Sequence, residues 1–189
     1  MKLRATIFVE GKSDKFFLKQ FLKSNFGLEV PDNQIIQVDG KDKLPKFKEW
    51  FVLGSDQNLK NLIVFDADKD FETRGQSLID ICDNLQVESE IFLFPNNNSV
   101  GNLEVLLEKI INPDKAFIFD CFQDYLQCLQ KQSEIKLNLP AQKTKIHAYL
   151  DLLFSKTMVE ERNYQDSELW NLDHEYLNPL RAFIKNHIS

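Results

Sequence analysis

Acidic residues follow two apolar segments of the chain, at positions where carboxylates of an α/β protein can bind a cation. Glu10 comes directly after residues 3–9, and Asp66 and Asp68 come directly after residues 61–65. Alternation along an extended segment puts Asp66 and Asp68 on the same side, so both can converge on one ion. Hard cations take oxygen ligands, often one or two carboxylates completed by water and substrate phosphate. The spacing therefore favours a site for Mg²⁺ or Mn²⁺.

Ordinary structural roles also explain each acid, and the sequence leaves both interpretations open. Asp is common in turns after strands, and acids near a helix N-terminus stabilise that helix. Asp70 continues the alternation, but it fits a solvent-facing turn equally well. The sequence argues against a calcium-binding loop that begins at Asp66, because Phe71 stands where glycine is needed and Ser77 where glutamate is needed. It is the joint arrangement of the acids at strand ends that favours cation binding.

The elements that must position these acids are alternating strands and helices. Apolar runs rich in β-branched residues predict strands at residues 3–9, 34–38, 61–65 and 90–94. Strands that alternate with helices predict an α/β fold with a mostly parallel four-stranded sheet and helices on both faces. In such sheets the functional crevice lies beyond the carboxyl ends of the strands, which is where the acids fall.

Helices are predicted between and after these strands. Ser13 is a good N-cap for the first helix, and Gly27 supplies its C-terminal stop. Pro45 fits the first turn of a helix after the second strand, and a helix starting near Asn102 puts Glu104 in its first turn. Further helices are predicted near residues 73–85, 114–131, 142–155 and 177–187. We therefore expect an α/β domain over residues 1–132 and a C-terminal helical extension over residues 133–189, packed on the same domain.

Length and composition limit the protein class. A chain of 189 residues has room for one domain of average size. No apolar run approaches about 18 residues, so we expect a cytoplasmic protein without a membrane partner. A net charge of −6 argues against a generic basic nucleic-acid binder, and residues 61–130 hold the excess acid, with 13 acidic against 4 basic residues. Cys82, Cys121 and Cys128 are expected to be reduced core residues.

The acids belong to three short motifs that together resemble the Toprim superfamily. This superfamily is the metal-binding module of type IA and type II topoisomerases, bacterial primases and OLD-family nucleases. The motifs are Val9-Glu10-Gly11-Lys12-Ser13-Asp14, Ile63-Val64-Phe65-Asp66-Ala67-Asp68 and Gly101-Asn102-Leu103-Glu104. The likeness is greatest to small standalone Toprim-like proteins of unknown function that are related to the OLD nucleases. By motif, the resemblance covers residues 3–110.

The resemblance implies a set of site residues. Glu10 matches the family glutamate that acts as metal ligand or general base. The residues matched to metal ligands are Glu10, Asp14, Asp66, Asp68 and Glu104. Gly11 would let the backbone approach a phosphate closely, and Asn102 lies where backbone amides at a helix N-terminus face an anion. The candidate phosphate or nucleic-acid contacts are Gly11, Lys12, Lys69 and Asn102.

The function implied by the resemblance is Mg²⁺-dependent or Mn²⁺-dependent phosphodiester chemistry on nucleic acid, either DNA or RNA. Basic residues near the acids would contact the phosphate backbone: Lys12, Lys15, Lys41, Lys43, Lys69 and Arg74. The chain has no Gly-x-x-x-x-Gly-Lys-Ser/Thr motif, so an ATPase of the kind fused to OLD nucleases would have to be a separate partner. The alternative is a non-catalytic module that binds metal and nucleic acid or a protein.

Overall fold

The structure is a computed structural model that describes residues 2–132, 136–138, 142–153 and 162–188. Its centre is a four-stranded sheet in the order β2-β1-β3-β4, and every strand pair is parallel. The strands are β1 (Ala5–Val9), β2 (Ile35–Gln37), β3 (Lys60–Asp66) and β4 (Glu90–Phe94). The predicted α/β fold with a parallel four-stranded sheet is confirmed.

Helices cover both faces of this sheet. They are α1 (Lys12–Phe26), α2 (Lys48–Asp56), α3 (Phe71–Leu85), α4 (Leu103–Lys109), α5 (Phe117–Gln130), α6 (Gln142–Leu153) and α7 (Asn178–Lys185). Short 3₁₀ helices lie at Asp32–Gln34, Lys41–Phe47, Pro113–Lys115 and Glu175–Leu177. The end of the helix predicted at 142–155 lies outside the described residues. Most of the predicted domain boundary also lies outside them.

Alternation along the strands divides the core into two layers. Ile7, Val9 and Val64 point to the face that α1, α4 and the C-terminal segment cover. Phe8 and Ile63 point to the opposite face, where α2 and α3 pack. Because these side chains are buried on both faces, each strand forms a nearly continuous apolar run, as parallel strands generally do.

Two local predictions on the first helices need correction. Gly27 ends α1 as predicted, with a left-handed backbone at φ 65°. Ser13, however, does not cap this helix, because the chain turns helical at Lys12 and Asp14 reaches back to the Gly11 amide instead. The single helix predicted after β2 is also wrong: Pro45 lies within a 3₁₀ helix, and α2 starts only after it. Pro45 lacks the amide hydrogen that a continuous α-helix would use at this position.

The C-terminal segment is part of the same core. Tyr164 and Trp170 are buried in the layer that contains α1. The Asn112 amide donates to the Leu169 carbonyl at 2.7 Å, and the Arg4 amide donates to the His187 carbonyl at 2.9 Å. Residues 162–188 therefore bind both to the end of α4 and to the start of β1.

The cysteines of α5 do not lie in the core. Cys82 is buried as expected, whereas Cys121 and Cys128 are exposed, and all three are free thiols. The prediction failed because α5 buries only a narrow stripe, which contains Ile118 and Phe119, near its start. Within the described ranges, no helix combines the length and the apolar character that crossing a bilayer requires.

Candidate metal site

Four carboxylates meet at the carboxyl edge of the sheet, and we call them the acid cluster: Glu10, Asp14, Asp66 and Glu104. Glu10 follows β1 and Asp66 ends β3, and these two strands are neighbours in the sheet. The Asp66 amide lies 3.4 Å from Glu10 Oε2. Asp14 and Glu104 lie in the first turns of α1 and α4. The structure therefore brings together four of the five acids predicted to bind metal.

Asp14 is the most buried acid of the cluster, with 6% of its surface exposed. It accepts a hydrogen bond of 2.7 Å from the Gly11 amide. Burial raises the pKa of the Asp14 carboxyl to about 7; the Gly11 hydrogen bond opposes this rise, and the charges of Glu104 and Glu10 add to it. Asp14 therefore caps α1, and burial disfavours the ionised form of its carboxyl near neutral pH.

Asp66 links the third strand to the helix that follows the fourth. Its Oδ1 accepts a hydrogen bond of 3.0 Å from the Leu103 amide at the start of α4. Burial raises the pKa of the Asp66 carboxyl to about 9, and the charges of Asp14, Glu10 and Glu104 push it in the same direction. The cluster thus combines low solvation with mutual repulsion, a combination that a bound cation relieves.

Asp68, the fifth predicted ligand, lies at the margin of the cluster. Strand β3 ends at Asp66, and Asp68 adopts a left-handed backbone with φ 56°. Its backbone forms two 2.8 Å hydrogen bonds with Gly101, in an isolated antiparallel bridge. The side chain is 59% exposed, and its Oδ2 lies 3.6 Å from Arg74. Strand alternation therefore does not continue through this residue, contrary to the expectation from spacing.

Asp70 has a structural role. Its side chain accepts hydrogen bonds from the amide and the hydroxyl of Thr73 and so caps α3. The Thr73 hydrogen bonds hold the pKa of Asp70 below its usual value. The sequence left open whether Asp70 continues the alternation or lies in a solvent-facing turn, and the structure shows the exposed position.

The contacts of Arg74 are the main feature of the site that the sequence did not predict. The sequence placed Arg74 only among the basic residues near the acids. Arg74 lies in the second turn of α3 with 9% of its surface exposed. Its Nε donates to the Asp66 carbonyl at 3.0 Å, and its Nη2 forms an ion pair with Glu10 Oε2. The guanidinium also lies 5.8 Å from the centre of the Phe65 ring. Arg74 therefore fixes one side of the acid cluster.

Tyr164 approaches the cluster from the C-terminal segment. Gln20 of α1 holds this segment, donating to the Arg162 carbonyl at 2.8 Å and accepting from the Tyr164 amide at 2.7 Å. Burial raises the pKa of the Tyr164 phenol; the Arg162 side chain opposes this rise, and the charges of Asp14 and Glu104 add to it. No short-range sequence signal predicts this contact, because Gln20 and Tyr164 are 144 positions apart.

The predicted phosphate contacts have different surroundings. The Gly11 amide already donates to Asp14, and the Asn102 side chain accepts from the Val105 amide and caps α4. Lys12 and Lys69 are exposed. Lys69 lines a cavity of about 400 Å³ together with Lys41 and Arg74. The cations best placed beside the cluster are therefore those around α3.

The acid cluster has the donor chemistry of a site for Mg²⁺ or Mn²⁺. Its side-chain donors are carboxylate oxygens, which these hard cations prefer. The carboxylates are partly buried and their negative charges are not fully neutralised by the chain, which fits the binding of a divalent ion. Over the described ranges, however, no three His, Cys, Asp or Glu side chains are already arranged as a coordination set. The acids would have to adjust their side-chain torsions around an ion.

Comparison with protein families gives one match, over residues 4–189, to a family described as a protein of unknown function, DUF3226. The chain belongs to the DUF3226 family. The match spans the sheet, the acid cluster and the C-terminal segment that carries Tyr164. No curated protein and no solved structure matches the chain. Since the DUF3226 description names no activity, a function for this member has to be argued from its site.

Proposed function

We propose that this DUF3226 protein carries out Mg²⁺-dependent phosphodiester chemistry on nucleic acid, with Mn²⁺ as an alternative ion. The observation that carries the proposal is the convergence of Glu10, Asp14, Asp66 and Glu104 at the carboxyl edge of a parallel sheet. These acids come from two strand ends and two helix starts, so the fold itself assembles them. The carboxyl edge is also where ligands of open α/β sheets bind.

The electrostatics of the cluster support a cation as its partner. Isolated buried charges are costly, and like charges that share a site raise each other's pKa. Asp14 and Asp66 show both effects, with pKa values of about 7 and about 9. A helix-capping role alone does not need four acids close together. A divalent ion would compensate this repulsion and keep the carboxylates ionised at neutral pH.

The residues of the cluster have distinct proposed roles. Asp14, Asp66 and Glu104 would hold the ion. The chemistry that a bound divalent ion supplies is charge neutralisation at the scissile phosphate and a lower pKa for attacking water. Glu10 would accept the proton of that water while the water oxygen bonds to phosphorus and the ester oxygen leaves. Arg74 would orient Glu10 through their ion pair.

Nucleic acid is the proposed substrate because three cations line a cavity next to Arg74, the residue that contacts Glu10 of the cluster. Lys41 and Lys69 line the same cavity as Arg74, and phosphodiester backbones are bound largely through such charges. The resemblance of residues 9–14, 63–68 and 101–104 to the Toprim superfamily supports the same chemistry. By that resemblance, a separate ATPase would be a partner of the protein.

Metal binding is the first experiment, because it requires no assumption about the substrate. MnCl₂ is titrated by calorimetry into the wild type, Asp66→Asn and Asp70→Asn. We expect saturable binding that Asp66→Asn weakens more than about tenfold, while Asp70→Asn binds like the wild type. Asp70→Asn is the matched control, since it removes a charge from the same acidic run at a residue that only caps α3. Equal binding by all three proteins would contradict the proposed site.

Turnover is the second experiment. End-labelled single-stranded DNA, duplex DNA and single-stranded RNA are incubated with the wild type and Glu10→Gln in MnCl₂. Gln keeps the size of Glu10 but cannot accept a proton, so we expect cleavage to be lost while binding of the oligonucleotide persists. Cleavage that survives in Glu10→Gln at the wild-type rate would remove Glu10 from its proposed role.

A non-catalytic nucleic-acid-binding module is the second candidate. The observation in its favour is that the proposed base, Glu10, is already engaged by Arg74 in the structure. In that case the wild type binds Mn²⁺ and oligonucleotide together but releases no product, and Glu10→Gln has no turnover to lose. Oligonucleotide binding that depends on Mn²⁺ but proceeds without cleavage would favour this candidate.

A further inference from the structure

We propose that the site takes a single divalent ion, and that the Arg74 guanidinium provides the second positive charge. This inference rests on the proposed function, because it concerns how the same acids divide among cations. The ion would lie on the side of Asp14, Asp66 and Glu104. Arg74 would stand between Glu10 and Asp68, where a second ion would otherwise have to bind.

The contacts of Arg74 define this second position. Its Nη2 pairs with Glu10 Oε2 and lies 3.6 Å from Asp68 Oδ2, so one nitrogen stands between the two carboxylates. A second ion held by Glu10 and Asp68 would have to share both carboxylates with the Arg74 guanidinium. A guanidinium cannot lose its proton in a protein, and its charge would repel an ion placed beside it. The second position is therefore already filled by a cation of the chain.

Arg74 is held in place from three directions. Its Nε donates to the Asp66 carbonyl at 3.0 Å, and its guanidinium packs near the ring of Phe65. Its own amide donates to the Asp70 carbonyl at 3.0 Å, inside the first turns of α3. Because Arg74 is 91% buried on these partners, moving it aside for an ion would break several contacts at once. It is a fixed part of the site.

The opposite side of the cluster has neutral donors. Asp14 accepts from the Gly11 amide and Asp66 from the Leu103 amide, and these bonds orient the carboxylates but add no full charge. Carboxylates with this environment are the ones that gain most from a divalent ion. We therefore infer that a bound ion neutralises the side with Asp14 and Asp66, and that the Arg74 guanidinium neutralises the other side.

The cavity beside Arg74 gives the guanidinium its role toward substrate. The side chain lines this space of about 400 Å³ together with Lys41 and Lys69 and with two acids, Asp68 and Asp70, so the cations outnumber the carboxylates by one. The guanidinium group presents N–H donors in a planar fork that matches phosphate oxygens. A phosphodiester that enters from this cavity would meet Arg74 on one side and the single ion on the other. Arg74 is therefore proposed to bind the phosphate as well as to orient Glu10.

The test counts bound ions. Mn²⁺ is titrated into the wild type, Arg74→Met and Arg74→Lys, and free and bound Mn²⁺ are quantified by electron paramagnetic resonance. We expect one bound ion in the wild type and in Arg74→Lys, which keeps the charge. We expect two in Arg74→Met, with the broadened spectrum of a coupled Mn²⁺ pair. Two ions in the wild type, or one in a folded Arg74→Met, would overturn the inference.

A second measurement does not depend on the folding of an Arg74 variant. Under a single-ion site, Asp68→Asn changes Mn²⁺ affinity less than about threefold, whereas Asp66→Asn weakens it more than about tenfold. Equal losses in the two variants would place Asp68 among the ligands and overturn the inference. Two ions in the wild type would leave the proposed function intact, whereas no Mn²⁺ binding by the wild type would overturn the inference and the metal site together.

Discussion

The two sides of the sheet edge treat the same chemical group in opposite ways. On the inner side, Asp14 and Asp66 are buried next to other acids, and burial raises the pKa of both carboxyls. On the outer side, next to Arg74, Asp68 is exposed near the guanidinium and Asp70 caps a helix. Three of these four aspartates come from one run with regular spacing. The comparison shows that burial and neighbours, rather than spacing, decide what a carboxylate can do.

The largest effect is expected from removing the cation of the outer side. Arg74→Met leaves Glu10 and Asp68 without their partner next to the other acids, so we expect the metal-free protein to lose about 3 kcal/mol of stability. Urea unfolding at pH 7 measures this, and Arg74→Lys should lose less because it keeps the charge. A loss below about 1 kcal/mol would show that the two sides are not electrostatically distinct.

Replacing an acid of the inner side is expected to stabilise the metal-free protein, whereas Arg74→Met destabilises it. The folded-state pKa of Asp66 is raised from 3.8 to about 9, so between these values the folded protein holds a proton that the unfolded chain has lost. Metal-free stability therefore falls as pH rises through this window. Asp66→Asn keeps the acceptor for the Leu103 amide and should stabilise the protein by about 2 kcal/mol at pH 8, with little effect at pH 4.

The pH series of the Asp66 variant is compared with the wild type by thermal unfolding from pH 4 to pH 9. We expect the two stability curves to converge in acid and separate in alkali. Parallel curves across the whole range would mean that Asp66 ionises normally and that the inner side is solvated like the outer one.

Gly101 tests the backbone link between the two sides. It adopts φ 136°, and a Cβ there would lie 3.0 Å from Val105 Cγ2 and 3.2 Å from Pro95 Cδ. Gly101→Ala should therefore cost about 1.5 kcal/mol and shift its bridge partner Asp68. Amide NMR shifts concentrated near Asp68 would support this link, whereas an unchanged unfolding midpoint would contradict the strain argument.

Added metal should stabilise the inner side in a pH-dependent way. With 10 mM MgCl₂, we expect a gain of about 1 kcal/mol at pH 8, because the ion binds the folded state only. At pH 5 the gain should shrink, since protons on Asp14 and Asp66 compete with the ion. An equal gain in Asp66→Asn would trace the effect to general ionic strength.

The smallest effect is expected at Asp70. Asn accepts the same hydrogen bond from the Thr73 amide, so Asp70→Asn should leave the unfolding midpoint close to that of the wild type. The same unfolding experiments measure it. A change as large as that of Asp66→Asn would mean that the outer acids share the electrostatics of the inner cluster.

The sheet could be predicted from the sequence because its signals are local. The run at residues 90–94 coincides with β4, and Gly27 stops α1 where its left-handed backbone is needed. Parallel strands with buried faces explain why the acids gather at one edge. The exposure of Cys121 and Cys128 could not be predicted, because an apolar helix pattern does not tell how much of the helix the rest of the chain covers.

The candidate site was predictable only in part. Glu10, Asp14, Asp66 and Glu104 come together because each is fixed by its distance from a strand end. The role of Arg74 depends on where α3 places this side chain relative to Glu10 and Asp66, which no spacing rule contains. The contact of Tyr164 depends on a segment far along the chain. Sequence patterns locate the groups of a site, and packing decides which of them are neutralised.

The Gln20 link to Tyr164 also has a consequence for synthesis. A ribosome releases the segment with Glu10, Asp14 and Asp66 long before Tyr164, which is 144 positions after Gln20, has been made. Until then, Phe17 lacks the edge-to-face ring of Tyr164 that lies 5.4 Å away in the finished protein. The nascent chain can form its first strands early, but the Tyr164 phenol reaches the neighbourhood of Asp14 only after residues 162–188 have emerged.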